Sequence, residues 1–300
     1  MATTNTTTGL YINSSYLALA RADVDEGNIL NISIQPLDTD IEDLWERIGV
    51  GLDTLFEGLS LKKENISLAL PGEFAVVKTL SIDNDDEDVE ETIKWELSQQ
   101  IVESLDEYAF DYQTLPNESS DSVTDYFITA YRQSAVSKLA DFIKDRKQNP
   151  VVVELDIFAL VNVYEMNYPD TKNEPAIIIF SESDFTKLIL TQNGKFIDLE
   201  TIQQTPETNM NDEISDGVTR LLKLNKSKLS STVISVFLTG DNFSEAVFLD
   251  SIKSSYPEAK ILYPFEKLTN VSGISEENLQ SYAPRLGVSV GLAMRDAEII

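Results

Sequence analysis

The sequence predicts an α/β protein of two lobes that open alike. Residues 10–19 and 178–190 each read as a strand, a serine-containing turn and a second strand. Both openings are followed by apolar strands alternating with amphipathic helices. Between the halves, Pro169 and Pro175 bracket a polar loop that marks a lobe boundary.

The elements follow in order. Leu10–Ile12 and Leu17–Arg21 are apolar strands on either side of Asn13-Ser14-Ser15, and Asn28–Ile34 is a third that stops before Pro36. Asp38–Leu59 is helical, with Ile41, Leu44, Ile48, Leu52 and Leu55 recurring every three or four residues and Asp38 or Asp40 to cap its start. Ile66–Leu70 is a short strand closed by Pro71-Gly72, and Phe74–Ile82 is another. The acidic run Asp83–Glu91 opens a helix that extends to about Val102; negative charge is favourable at a helix N-terminus, and the spaced ligands and glycine turn of a calcium loop are missing. Tyr108–Thr114 and Val123–Tyr131 alternate as paired strands across the polar loop PNESSDS. Ala135, Val136, Leu139, Phe142 and Ile143 form a helix stripe that Lys144–Lys147 ends with positive charge. Pro150 starts the strand VVVEL, and Asp156 caps a helix through Tyr164.

In the second half, Asn193-Gly194 is a hairpin turn leading to the strand Lys195–Leu199. Asp212–Leu224 is a helix with Ile214, Val218, Leu221 and Leu222 on one face. Val233–Leu238 is a buried strand ending in Thr239-Gly240-Asp241. A helix from Ser244, the strand Ile261–Leu262 and a final helix around Gly291 complete the chain.

Composition narrows the chemistry. The 300 residues are 42% hydrophobic, enough for one large domain or two lobes with separate cores. The N-terminus MATTNTTT lacks the basic and apolar regions of a signal peptide, and no apolar run approaches the ~20 residues that span a bilayer. The expectation is a soluble protein able to dock on a membrane protein. Cysteine and histidine are both absent, which excludes disulfides, thiol catalysis, Ser-His and Cys-His triads and the commonest zinc ligands. No dinucleotide glycine fingerprint is present. The net charge of −28 repels nucleic acid and anionic lipid. It reads either as an adaptation for solubility or a salty habitat, or as attraction for a basic partner.

The most specific stretch is WELSQQIVESLDEYAFDYQTL, residues 95–115. With LALPGEFAVVKTL (68–80), VVVELDIFALVNVYE (151–165) and GLAMR (291–295), it resembles in order the PilM-like family of type IV pilus assembly proteins, relatives of FtsA and the actin-like ATPases. The chain keeps the family's Glu96, Ile101, Leu105-Asp106-Glu107 and Asp111-Tyr112-Gln113, and has Val102 and Ser104 where the family has prolines. The resemblance implies an actin-like (ribonuclease H-like) two-lobed α/β fold with an FtsA/PilM-type inserted subdomain. The expected division is residues 1–82 and 149–172 for the first lobe, 83–148 for the inserted subdomain and 173–300 for the second lobe, with the C-terminal helix returning to the first.

The resemblance also locates a nucleotide site and shows it degraded. Family members hold phosphates on two glycine turns with metal-handling aspartates, and seat adenosine on a Gly-Gly turn. The first motif here reads Tyr11-Ile12-Asn13-Ser14-Ser15, without the Asp, the Gly or the following Lys. The second reads Ile179-Phe180-Ser181-Glu182-Ser183, again without Asp or Gly, and Glu182 brings a carboxylate to where a phosphate would lie. At the third, Gly240 remains but Asp241 replaces its partner. A carboxylate close to a triphosphate is repulsive, and the serines serve ordinary turn chemistry. The expectation is therefore no catalytic residue, no metal ligand and no cofactor, with ATP and Mg²⁺ disfavoured.

What remains is a scaffold. In the resembled family the N-terminal cytoplasmic tail of a bitopic inner-membrane protein, PilN, lies in a groove between the first lobe and the inserted subdomain. By resemblance this chain is a cytoplasmic protein, held at the inner membrane by a PilN-like tail, with no direct membrane insertion and no nucleic-acid partner. Ile101, Leu105, Tyr108, Phe110 and Tyr112 are the groove candidates, and the same residues are those that a subdomain core would take. Two alternatives stand beside this reading: an active ATP-binding actin-like ATPase of the same machinery, and a GspL-like cytoplasmic domain of a type II secretion system.

Overall fold

A computed structural model describes residues 5–295 apart from 60, 62, 70–74, 87, 116–121, 172, 206–208, 269 and 272–273. The expected Pro71-Gly72 turn and most of the PNESSDS loop lie outside the described residues.

The first lobe is built on a six-stranded sheet. Strands β1 (Thr6–Ile12), β2 (Tyr16–Asp23) and β3 (Asn28–Pro36) form an antiparallel meander. Strands β4 (Asn65–Ala69) and β8 (Asn149–Glu154) extend it in parallel beyond β1, and the short β14 (Asn270–Val271) pairs in parallel with β3. Leu10–Ile12 and Tyr16–Ala20 are buried throughout because the sheet is covered on both faces, so these strands read as continuous apolar runs. Helix α1 (Leu44–Leu59) starts later than Asp38 because Asp43 is its cap: the Asp43 carboxylate accepts from the Glu46 N–H at 2.7 Å.

The second lobe repeats the plan. Strands β9 (Ala176–Ser181), β10 (Phe185–Gln192) and β11 (Lys195–Gln203) form the meander, with β12 (Ser235–Thr239) parallel to β9 and β13 (Lys260–Ile261) parallel to β12. Asn193 and Gly194 both adopt positive φ, 56° and 66°, as a tight hairpin with right-handed twist requires. Helices α5 (Met210–Leu224) and α6 (Ala246–Ser255) turn Ile214, Val218, Leu221 and Ile252 into this lobe's core.

The third sheet has the order β5-β7-β6, from β5 (Ala75–Asp83), β6 (Tyr108–Thr114) and β7 (Val123–Arg132). It takes in residues 75–83, which a division at 82/83 would split from their partner strand. Helix α2 (Val89–Ser98) lays Ile93 and Leu97 on one face of this sheet against Ile82, Ile128 and Ala130. It ends at Ser98, short of Val102; Ile101 reaches the same core from the turn that follows, its N–H bonded to the Leu97 carbonyl at 3.0 Å. Helix α3 (Gln133–Asp145) leads back to β8 and buries Leu139 and Ile143 in the first-lobe core.

The sheet's other face meets both lobes. Phe127 of β7 packs against Phe158, on helix α4 (Asp156–Asn167), with ring centroids 5.1 Å apart, and against Phe196 of β11 at 4.8 Å; Phe158 and Phe196 close the triangle at 5.6 Å. Beside it, Lys228 of the second lobe pairs with the buried Asp125 of β7 at 2.7 Å, and Ser81 donates to the same carboxylate.

Asp156 does not cap α4. It is the first helical residue, it is buried, and its carboxylate is taken by Lys187 of β10. Helix α7 (Glu276–Ala293) packs on β1, β2 and α4. It comes so close to α4 that a Cβ on Gly291 would lie 2.1 Å from the Ala159 carbonyl oxygen. Two of the stretches that carry the family resemblance, GLAMR and VVVELDIFAL, are thus the two sides of one helix crossing.

Candidate functional site: the paired turns

The β1–β2 and β9–β10 turns are built the same way. In the first, the Asn13 N–H donates to the Tyr16 carbonyl at 3.0 Å; in the second, the Glu182 N–H donates to the Phe185 carbonyl at 2.9 Å. The flanking pairs Ile12–Leu17 and Ser181–Thr186 occupy matching register. Asn13 therefore corresponds to Glu182, one residue on from the Ser181 that motif matching aligns with it. Within the first turn the Asn13 side-chain oxygen also accepts from the Ser15 N–H at 2.7 Å, a side-chain-closed turn.

The turns face each other and are bonded directly. The Asn13 side-chain amide donates to Glu182 Oε2 at 2.9 Å, and the Tyr16 hydroxyl donates to Glu182 Oε1 at 2.8 Å. At the rim, Ser14 donates to Asp184 at 2.6 Å, and Ser183 donates to the other oxygen of the same carboxylate at 3.0 Å. Asn13 and Glu182 are 4% and 1% exposed. Burial is the main cause that pushes the Glu182 carboxyl up to about 8, with the Asp241 and Asp156 charges adding to it and the Tyr16 hydrogen bond opposing. Burial and the neighbouring Glu182 likewise push the Tyr16 hydroxyl well above its ordinary range.

Behind Glu182 the backbone is held by amides. Asn242 and Gln204 both donate to the Glu182 carbonyl, at 2.7 and 2.8 Å, and both reach the Ser181 hydroxyl, which also pairs with Thr186 at 2.7 Å. Gly240 stands at φ 105°, and a Cβ there would lie 2.2 Å from the Ser181 carbonyl oxygen. Its N–H donates to the Pro284 carbonyl of α7 at 2.7 Å. Asp241 is paired with Arg285 of the same helix. The three turns expected from the sequence, at Asn13–Ser15, Ser181–Ser183 and Gly240-Asp241, are therefore brought together.

A cavity of about 280 Å³ opens beside the turns, lined among others by Tyr11, Ser14, Asp184, Phe185 and Lys187. Lys187 donates to both oxygens of Asp156, at 2.7 and 2.6 Å, in a buried pair. Among the described residues, no group of three or more acidic residues is placed to hold a metal ion, and no helix is long and apolar enough to cross a membrane.

The groove candidates are distributed differently. Ile101 is buried in the subdomain core, and Leu105, Tyr108 and Phe110 pack against it. Tyr108 also donates to Glu103 at 2.8 Å, under the Arg132 guanidinium. Tyr112 is the exposed member, its ring 5.9 Å from that of Tyr126. Tyr16, Gln204, Asn242 and Arg285 were not among the expected site residues. Each is defined by a partner remote in sequence or by turn register, and no local motif marks them.

The sequence profile of the family described as type IV pilus assembly protein PilM matches residues 29–216. No curated protein matches the sequence. Among solved structures, the PilM-PilN type IV pilus biogenesis complex superimposes with a TM-score of 0.78 at 16% identity, over 97% of this chain and 98% of that one. A Bacteroides thetaiotaomicron protein with an actin-like ATPase fold and unknown function gives 0.55 at 12% identity, over 96% of both chains. The ethanolamine utilization protein EutJ of Carboxydothermus hydrogenoformans gives 0.51 at 8%, over 96% of this chain and 89% of that one. The fold is thus the actin-like one, and the chain belongs to the PilM family of type IV pilus assembly proteins.

Proposed function

We propose that this chain is a catalytically inactive scaffold of a type IV pilus assembly machine. On this reading it is cytoplasmic and is held at the inner membrane by the tail of a PilN-like bitopic protein. The observation that carries the inactive half is Glu182. A magnesium nucleotide placed between the two turns would have to displace a buried carboxyl that already bonds Asn13 and Tyr16, and its phosphates would meet Asp184 and Asp241, while the nearby cations are engaged: Arg285 with Asp241, Lys187 with Asp156, and Arg47 with the Ile41 and Ser14 carbonyls. The residues present do not fit that group. The partner half is supported by the likeness, over nearly the whole of both chains, to a structure described as a PilM-PilN complex.

Thermal unfolding with and without millimolar Mg-ATP or Mg-ADP tests the first half. A ligand at ~100 times its dissociation constant adds about 2.7 kcal/mol to the folded state. An unchanged midpoint is expected; a magnesium-dependent rise would restore the reading as an active ATPase. Titrating the labelled cytoplasmic tail of the organism's own PilN-like protein against the whole chain tests the second. Saturable binding unaffected by nucleotide is expected, and its absence would remove the tail as the partner.

A further inference from the structure

Strand β5 is an edge of the three-stranded sheet. Its inner edge pairs with β7 along the whole strand, and its outer edge pairs with no strand among the described residues. An unpaired strand edge presents a row of backbone donors and acceptors that another extended chain can satisfy. Helix α2 runs beside this edge: Lys78 of β5 is ion-paired with Glu96 of α2. Strand edge and helix together wall a cavity of about 440 Å³ that runs along Leu80–Asp83 and is closed by Asp85, Asp86, Thr92 and Glu96. A groove between an edge strand and a helix is a geometry in which extended peptides dock by strand addition.

The chemistry of the walls selects the occupant. Asp83 and Asp85 are exposed at one end of the groove, and Asp86 accepts from Thr92 within it. Among the described residues the cation there, Lys78, is already paired, and Lys94 on α2 is held by Glu90 and Glu91. An incoming segment thus meets uncompensated negative charge on a chain whose net charge is −28.

We propose that the groove between the outer edge of β5 and helix α2 docks an extended segment of a separate protein, which adds to β5 as a fourth strand and places lysine or arginine side chains against Asp83 and Asp85. The surface stands apart from the paired turns and does not depend on whether nucleotide binds. It also differs from the groove candidates Ile101 to Tyr112, which lie in or beside the subdomain core and on the opposite edge strand.

The test uses the whole chain and a short synthetic peptide alternating lysine and valine. Its controls are a glutamate–valine counterpart and a lysine–valine peptide methylated on alternate backbone nitrogens, which keeps the charge and cannot add as a strand. Hydrogen exchange read by mass spectrometry locates binding. The expected result is saturable binding by the lysine peptide, at least about tenfold tighter than either control, with slowed exchange in residues 78–83 and not in β6. Asp83→Asn combined with Asp85→Asn, at exposed positions whose change leaves the core intact, weakens it several-fold. The proposal is overturned if the lysine peptide does not bind, if the methylated peptide binds as well, or if protection falls on β6. Protection of residues 78–83 that rises with protein concentration alone would assign the edge to a second copy of the chain and also overturn it.

Discussion

Asn13 and Glu182 occupy the same position in two separate turns, and they are hydrogen-bonded to each other at 2.9 Å across the boundary between the lobes. The contact is buried, and Tyr16 completes it from the first-lobe side. The two halves of the chain are therefore joined at their symmetry-related turns by side chains alone.

That arrangement has a pH signature. Burial raises the Glu182 carboxyl from an ordinary 4.5 to about 8 in the folded protein. The folded state then holds the proton more tightly than the unfolded chain. The resulting stability is full below about pH 4.5 and is lost as pH rises through about 8. Glu182→Gln keeps a neutral, hydrogen-bonding side chain and removes the titration. Thermal unfolding from pH 5 to 8.5 is expected to show the variant gaining on the wild type as pH rises, by about 2 kcal/mol and at most ~5. Parallel curves for the two proteins would mean that Glu182 is ionised at no unusual cost.

Gly240 is predicted to be intolerant of a side chain. Its φ of 105° lies where L-residues are strained, and the new Cβ would press on the Ser181 carbonyl that backs the second turn. Gly240→Ala is expected to cost about 3 kcal/mol in urea unfolding. A cost below ~0.5 kcal/mol would show that the third turn is free to move away.

The Lys187–Asp156 pair is predicted to be worth more intact than half removed. Lys187→Met leaves a buried carboxylate without its cation and is expected to cost ~3–5 kcal/mol. Adding Asp156→Asn is expected to recover a large part of that loss. A double-mutant cycle reads the coupling, and strictly additive losses would show that the two side chains do not depend on each other.

Phe127→Ala is predicted to cost ~3–5 kcal/mol, since it empties the centre of a packed aromatic triangle. Because the rings come from the inserted subdomain and both lobes, hydrogen exchange is expected to quicken in all three units. Quickening confined to residues 75–145 would show that the subdomain opens independently.

Legibility in the sequence followed the range of the forces involved. The two hairpins were readable because turn residues and continuous apolar runs are local: Asn193-Gly194 alone dictates its turn. The end of α2 was not, because Gln99, Gln100 and Ile101 continue a helical pattern while the chain leaves the helix at Ser98 and still delivers Ile101 to the same core. The membership of β5 was hidden for another reason. Its residues read correctly as a strand, but its partner β7 lies beyond a helix and another strand, and nothing in AVVKTLSID names it. At the paired turns the residue types were visible and their register was not. Matching Ser181 to Asn13 by motif missed by one residue what the turn hydrogen bonds make plain, and with it the meeting of Asn13 with Glu182. Tyr16, just before the strand read at Leu17–Arg21, was hidden because its partner Glu182 is remote in sequence.

The triangle of Phe127, Phe158 and Phe196 has a mechanical consequence. A load applied to the inserted subdomain passes into α4 and β11 at once through the interlocked rings, beside the Asp125–Lys228 pair and the α3 contacts with the first-lobe core. The subdomain is then a keystone more than an arm: tension at its outer face is shared by both lobes at once.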